Sequence, residues 1–494
     1  MRKPFTWSLV TFALCFAGDL FGADDWNQWR GSARDGAAAA SPKLINQLPP
    51  GGLRRAWVSE AIPAGGNGGW SSPVVVGDKV YVFAHYQTAK PNVQLGDPKY
   101  PGLDEKKQKE LSKEELEAYE ANRQQEERER RNASYDVTEA VYALDVATGK
   151  TLWKNERPSV FTGFFHSGTP AVIGKRIYVL APGGVARCVS ASDGKDVWET
   201  KLAGNFEEQQ HSSSFAVAEG VAVILAGRLF GLDARTGKLA WEGDSDKTSG
   251  AHSSPAIWKT KDRQLIVVNV RGQDTICVDP RNGEELWRVQ SEANLSTPVV
   301  TGNRMLTLGD SRKKGLRCFE LSLKEAKHLW TYTGAADNGS SPVVVGGHAY
   351  VQGGTQLACV ALKTGKAAWK VELDMENPQY TSLAAADGKV YYAYGAVLWF
   401  KAEPSDYELL AEGRIDETGL LATDDTFRGI IEQDPSRESK PTEAELDQLV
   451  RDRTNGRGPV ECASPAIADG RLYVRLSGGV ACYDLREQGA LAGE

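Results

Sequence analysis

The chain is poor in several things that would narrow its chemistry at once. Its seven cysteines include no adjacent pair and no Cys-x-x-Cys, which argues against zinc held by thiolates. Positive charge is not in excess: the formal net charge is −7, whereas nucleic-acid binding needs concentrated cationic surface. Long apolar runs are missing too. Only Phe5 to Ala17, behind Met1-Arg2-Lys3, is sustained, and it is too short to span a bilayer but suits an export signal, with cleavage after Ala17 or Ala23. Leu14 ahead of Cys15 is too bulky for a good lipoprotein processing site. Histidine is scarce as well, at six residues, so where they fall is informative.

What the chain has in abundance is repetition. A Ser/Thr-Pro opening leads into a valine-rich hairpin and a third strand, then into Asp-x-x-Thr-Gly-Lys-x-x-Trp. The clearest copies run Asp145 to Trp153, Asp233 to Trp241 and Asp279 to Trp287, with weaker ones ending at Trp198, Trp330 and Trp369. The tryptophans recur every 39 to 46 residues, the period of four-stranded propeller blades. In the first copy Val74-Val75-Val76, a Gly77-Asp78-Lys79 turn and Val80-Tyr81-Val82 read as a tight hairpin. The Asp accepts from turn amides, the Gly takes positive φ, and the Trp offers a large apolar face and one N–H to the seam between blades.

Openings at Pro73, Pro170, Phe215, Pro255, Pro298, Pro342, Leu383 and Pro465 give eight blades. The last copy stops at Asp484 without its Trp strand, while Leu53 to Trp57 is an outer strand without a blade. The N-terminal strand is therefore expected to complete the last blade, with Trp57, Trp153, Trp198, Trp241, Trp287, Trp330 and Trp369 as docking residues. Cys188, Cys277, Cys318, Cys359 and Cys482 share one third-strand slot, filled by Ala143 and Gly231 in other copies. Such slots in different blades lie beyond the roughly 7 Å limit for a disulfide, so buried free thiols are expected.

On these motifs the chain resembles the quinoprotein-like propellers with PQQ-binding-like repeats, whose docking motif reads Ala-x-Asp-x-x-Thr-Gly-x-x-x-Trp. It is similar in particular to secreted planctomycete-type members, through the segment Trp26 to Gly36, and more distantly to an outer-membrane assembly subunit. The resemblance implies an all-β, eight-bladed propeller and leaves two functions open: a binding scaffold, or a PQQ-dependent oxidoreductase of the alcohol or sugar dehydrogenase kind. An enzyme of that class would use PQQ with Ca²⁺. The disulfide cap of adjacent cysteines and the Cys-x-x-Cys-His of covalent haem, which the resemblance would suggest, are absent. Asp193, Asp233 and Asp279 are turn residues of the repeat and are not nominated as bases.

The same register defines a candidate site. Four residues before each opening stand His166, His211, Asn294, Asn338, Gln379 and Glu461, and three before it Trp70, His252 and Tyr380. Innermost strands line the central channel, so these side chains are expected on one rim, where quinoprotein-like propellers bind their ligands. The rim reads as a small-ligand site, as a metal site through His166, His211 and His252, or as solvated polarity at a channel mouth. The histidines would make it pH-sensitive between about 5 and 8.

The expected organisation is a signal peptide over 1–23, a strap over 24–52, a propeller over 53–487 closed by 53–57, and a tail over 488–494. Two insertions interrupt it. Residues 85–137 hold an exposed helix over Asp104 to Asn132 with a capping box at Ser112 and Glu115; residues 412–459 hold a capped helix from Thr442 to Arg453. Leu420-Leu421 and Ile430-Ile431 would pack on the propeller or on another protein. Trp26 to Gly36 is read as a strap folded back on its own propeller, with partner binding through aromatic and Arg anchors as the alternative. The expectation is an exported, monomeric, non-catalytic propeller of the periplasm or cell envelope. It would bind an envelope protein, a polysaccharide or a small molecule.

Overall fold

The computed structural model describes residues 25–206, 211–375, 378, 380–437 and 439–487; the signal-peptide and tail expectations lie outside them. Eight antiparallel sheets form the molecule, seven of four strands and one of five. Each begins at the channel with a short strand such as Val74–Val76, Ala171–Ile173 or Ala466–Ala468, and in all but the seventh the outermost strand carries the docking Trp. The eighth blade is completed by Trp57–Val58, with Trp57 opposite Cys482.

The docking chemistry is repeated seam by seam. Trp198 Nε1 donates to Ala234 O at 3.1 Å, Trp241 to Pro280 O at 2.7 Å and Trp287 to Ser322 O at 3.0 Å. Trp330, Trp369 and Trp57 reach Leu362, Glu403 and Val146 in the same way. The indoles of Trp57, Trp153, Trp198, Trp241 and Trp330 each lie across the turn glycine of the next blade. A Cβ on Gly283, where φ is +75°, would sit 2.6 Å from Trp241, so this glycine meets two demands at once, left-handed backbone and close approach. Trp153 lies on Gly194 likewise, but Tyr81 donates to the Ala191 carbonyl there.

The shared cysteine slot has a simple cause. Cys188, Cys277, Cys318, Cys359 and Cys482 each stand opposite the docking Trp of their own blade, as do Ala143 and Gly231. Only a small residue fits across from an indole. All five are buried free thiols, and burial pushes four of them up to about 12. The apolar core accordingly lies in the seams, as with Tyr178, Trp198, Phe215 and Phe230 between the second and third blades.

The seventh blade inverts this pair. Trp399 occupies the third-strand slot and Ala411 the outer one, and Trp399 Nε1 donates to Asn46 O.

A second circular feature ties the innermost strands together. The residue before each opening carries a hydroxyl, and in turn Ser72, Thr169, Ser214, Ser254, Thr297 and Ser341 donate a backbone N–H to the hydroxyl of the next blade. Ser464 donates in the same way to Ser72, joining the eighth blade to the first. These seven bonds span 2.9–3.2 Å. Among the described residues no such bond joins Ser382 to Ser464, whose Oγ has no partner.

The segment from Trp26 folds back on the propeller. Trp26 pairs with Val75, Asn27 with Val172 and Ala37 with Ala385, so the chain crosses the channel along the innermost strands. Arg34 donates to Phe215 O at 2.7 Å and Ser214 O at 3.3 Å, while Arg30 on the opposite side donates to Ser341 O at 2.8 Å. Both guanidiniums are buried, and desolvation lowers them to about 9 and about 10. They remain charged at neutral pH, held by carbonyl dipoles in place of water.

The first insertion begins later than the sequence suggests. Strands Lys79–Ala89 and Tyr135–Asp145 pair along their whole length as a ribbon, which carries helices α1 (Glu105–Lys109) and α2 (Lys113–Ser134). Helix α2 has the Ser112/Glu115 capping box and no buried residue. In the second insertion α3 (Asp424–Glu432) packs Phe427 and Ile431 on Leu446 and Val450 of α4 (Glu443–Thr454). Leu421 pairs with Leu53, so Leu421 and Ile431 are covered by the chain itself, while Ile430 stays exposed.

Candidate functional site

Where the innermost strands begin, the channel opens into a cavity of about 380 Å³. Its lining obeys one register. The residue three before each opening faces it in all eight blades: Trp70, Ser167, Ser212, His252, Leu295, Gly339, Tyr380 and Cys462. Ser214, Ser254 and Thr297, one before the opening, form a second tier. Alternation of extended chain explains both tiers, since every second residue points the same way. Trp29, from the folded-back segment, closes the cavity below, with the Arg30 guanidinium 5.7 Å from its ring centroid.

The walls are aromatic on one arc. Trp70 meets Phe164 edge-on at 6.1 Å, and Phe164 stacks on His252 at 6.2 Å. Tyr380 has φ +61°, a conformation that L residues adopt only when their surroundings impose it. Asp337 imposes it, accepting from the amides of Gly339, Ser340 and Tyr380 at 2.8, 2.6 and 3.3 Å. Gly339 leaves room for the ring, because a Cβ there would lie 2.4 Å from Tyr380 Cδ1.

The structure divides the sequence-derived list. Trp70, His252 and Tyr380 line the cavity. His166 and His211 turn into the wall and are 5% and 6% exposed. Asn294 and Glu461 are exposed outside the cavity, Asn338 is half-buried, and Gln379 lies outside the described residues. The expectation of solvated rim histidines is corrected by this burial. His166 packs edge-on against Phe83, accepts from the Gly168 amide through Nδ1, and donates its own backbone N–H to His85 Nδ1 at 3.2 Å. His211 packs on Phe206 at 4.9 Å.

Desolvation is the first cause of every histidine shift here. It lowers His166 to about 3, with His85 and His211 adding repulsion, and lowers His85 and His211 to about 4; His252 is lowered as well. Titration between 5 and 8, expected from the sequence, is therefore overturned for His166 and His211, whose rings stay neutral there. The metal reading through His166, His211 and His252 fails on orientation, since only His252 faces the cavity. Among the described residues no group of three His, Cys, Asp or Glu side chains is placed to hold an ion.

Sequence reasoning missed most of the lining. The signal was available, because counting three back from each opening finds all eight residues, but polar and aromatic side chains alone had been sought. Ser167, Ser212, Leu295, Gly339 and Cys462 carry no chemical flag. His85 was read as the start of an insertion, yet it belongs to a four-histidine group with His166, His211 and His252.

PQQ with Ca²⁺ can be tested against this donor set. PQQ is a tricarboxylate, and its cation needs oxygen ligands. The lining contains no Arg, Lys, Asp or Glu, and Asp337, just behind it, is committed to three backbone amides. These residues do not fit the group. The lining offers no carboxylate, and burial pushes the Cys462 thiol up to about 12; His252, lowered by desolvation, is the one imidazole that faces the cavity among the described residues.

A family profile described as "Outer membrane protein assembly factor BamB" matches residues 137–273 and 256–398. The outer membrane protein assembly factor BamB of Moranella endobia is 25% identical over 261 residues, 51% of this chain and 56% of its own length. A tetrathionate hydrolase of Acidithiobacillus ferrooxidans is 24% identical over 252 residues, 46% of this chain and 48% of its own. The chain thus spans about half the length of these relatives. Among solved structures, a quinohemoprotein alcohol dehydrogenase from Comamonas testosteroni superposes with TM-score 0.52 at 14% identity, over 94% of this chain and 80% of its own. At that identity it speaks for the fold.

Proposed function

The chain belongs to the family described as outer membrane protein assembly factor BamB, and on that premise we propose that it is an exported, non-catalytic binding propeller of the cell envelope, with the channel cavity as its ligand site. One observation carries the reading. All eight blades contribute a wall residue to a single cavity, and none contributes a carboxylate, a fixed charge or an activated thiol. Such a site can exclude water and select by shape and hydrogen bonding, and its single imidazole, His252, is paired with no nucleophile or carboxylate in the lining. The export-signal pattern of Met1 to Ala17 supports placement in the envelope. So does the absence, among the described residues, of any helix long and apolar enough to cross a membrane.

The test is thermal unfolding and tryptophan fluorescence of the purified protein against a library of neutral small molecules, with PQQ plus Ca²⁺ alongside. Saturable stabilisation by neutral members, lost on Trp70→Ala, is the expected result. Saturable stabilisation by PQQ plus Ca²⁺ would instead make the chain an oxidoreductase candidate and overturn the reading.

A further inference from the structure

Resting on that assignment of the cavity, we infer that its ligand is the terminal unit of a neutral oligosaccharide. Two chemistries are excluded by the walls. A charged ligand would lose its hydration with no counter-charge in the lining to replace it. A purely apolar ligand would strip water from Ser167, Ser214, Ser254 and Thr297 and return no hydrogen bond, a penalty for each hydroxyl left unpaired.

The hydroxyls are not equivalent. Those of Ser214, Ser254 and Thr297 already accept a backbone N–H from the neighbouring blade, which leaves their protons to donate. Ser212 Oγ and the indole Nε1 of Trp70, both buried in the wall, have no partner among the described residues. These hydroxyls come from the second to fifth blades, while Trp70 and Tyr380 face them from the first and seventh, and Trp29 lies beneath. The complement is an uncharged body with hydrogen-bonding groups around its edge and a flat C–H face, which describes a pyranose ring.

The cavity has one mouth, because Trp29 and the buried Arg30 and Arg34 close the channel below. A polymer cannot thread it, so an end enters and following units lie on the rim. There Asn294 is exposed and Asn338 half-buried, amides that suit sugar hydroxyls in both donor and acceptor roles.

The experiment titrates the full chain by calorimetry and tryptophan quenching with neutral gluco-, galacto-, manno- and xylo-oligosaccharides of increasing length. Oligoglucuronides and 1-naphthol are run beside them. At least one neutral series binds saturably, with one protein per chain whatever its length, and Tyr380→Gly weakens it at least tenfold. Glycine accepts the positive φ at position 380, so that variant keeps the backbone; Trp70→Ala is the second. If 1-naphthol binds and is lost in both variants while no neutral saccharide binds, the saccharide inference falls and the cavity assignment stands. If neither binds, both fall. Preference for the glucuronides, or saccharide binding indifferent to Tyr380→Gly, overturns the inference as well.

Discussion

The seventh blade and the other seven solve the same packing problem differently. In the regular blades an indole stands opposite a small residue of its own blade, five of the seven indoles lie on the next blade's glycine, and a hydroxyl of the next blade receives the innermost N–H. In the seventh blade, where the ring closes, the indole and the small residue have changed places at Trp399 and Ala411, the acceptor for Trp399 comes from Asn46, and the hydroxyl relay stops at Ser382. Tyr380 and Cys462, both with positive φ, flank that gap. Repetition thus secures the ring where every seam can be alike. Where the two ends of the chain meet, the residues are freed to differ, and the cavity takes its strained aromatic from that sector.

Substitutions can break this comparison. Trp287→Ala should cost about 4 kcal/mol by chemical denaturation, the usual range for deleting a buried aromatic. Adding Ala411→Trp to Trp399→Ala should recover at least about 1 kcal/mol of the single variant's loss, because the two positions share one volume; no recovery would show that the inversion is fixed by Asn46. Arg34→Ala should cost about 3 kcal/mol, since it removes a buried donor to Phe215 O and Ser214 O across the channel. Gly283→Ala should cost about 2 kcal/mol through strain at φ +75° and the clash with Trp241.

Two smaller effects sharpen it. Ser254→Ala leaves the Ser214 amide without its acceptor and should cost about 1–2 kcal/mol. Ser464→Ala removes an oxygen that accepts nothing and should fall within about 0.5 kcal/mol of the parent. Last is pH. His166 and His211 resist protonation when folded, so the unfolded chain binds more protons below the ordinary histidine value of 6.5, and stability falls from there toward about 3 to 4. His211→Leu should flatten that slope in urea titrations at pH 4 and pH 7, and an unchanged slope would assign the acid loss to other groups.

The ring was legible in the sequence because each blade repeats residues whose constraints are local: an Asp that binds turn amides, a Gly needed for φ and contact, a Trp that needs a seam. The five-cysteine slot was legible as a register, though its cause, the facing indole, needed the strand pairing. The site was less legible. Register alone places the residues, but whether position minus three or minus four faces the channel depends on the phase of the chain as it enters the strand. That phase sent His252 inward and His166 into the wall. The inversion at Trp399 had no sequence signal, because it depends on Asn46, 353 residues away.

The hydroxyl relay runs in one rotational sense around the channel and is interrupted once, which makes it mechanically a split washer rather than a hoop. A hoop under load has no preferred place to fail. A split washer spreads at its gap, and here the gap lies between the seventh and eighth blades, where α3 and α4 bridge the rim and the chain's ends are stitched together. Denaturant, heat or pulling on the termini should therefore open the molecule there first, as a fuse that spares the regular blades and parts the cavity beside Tyr380.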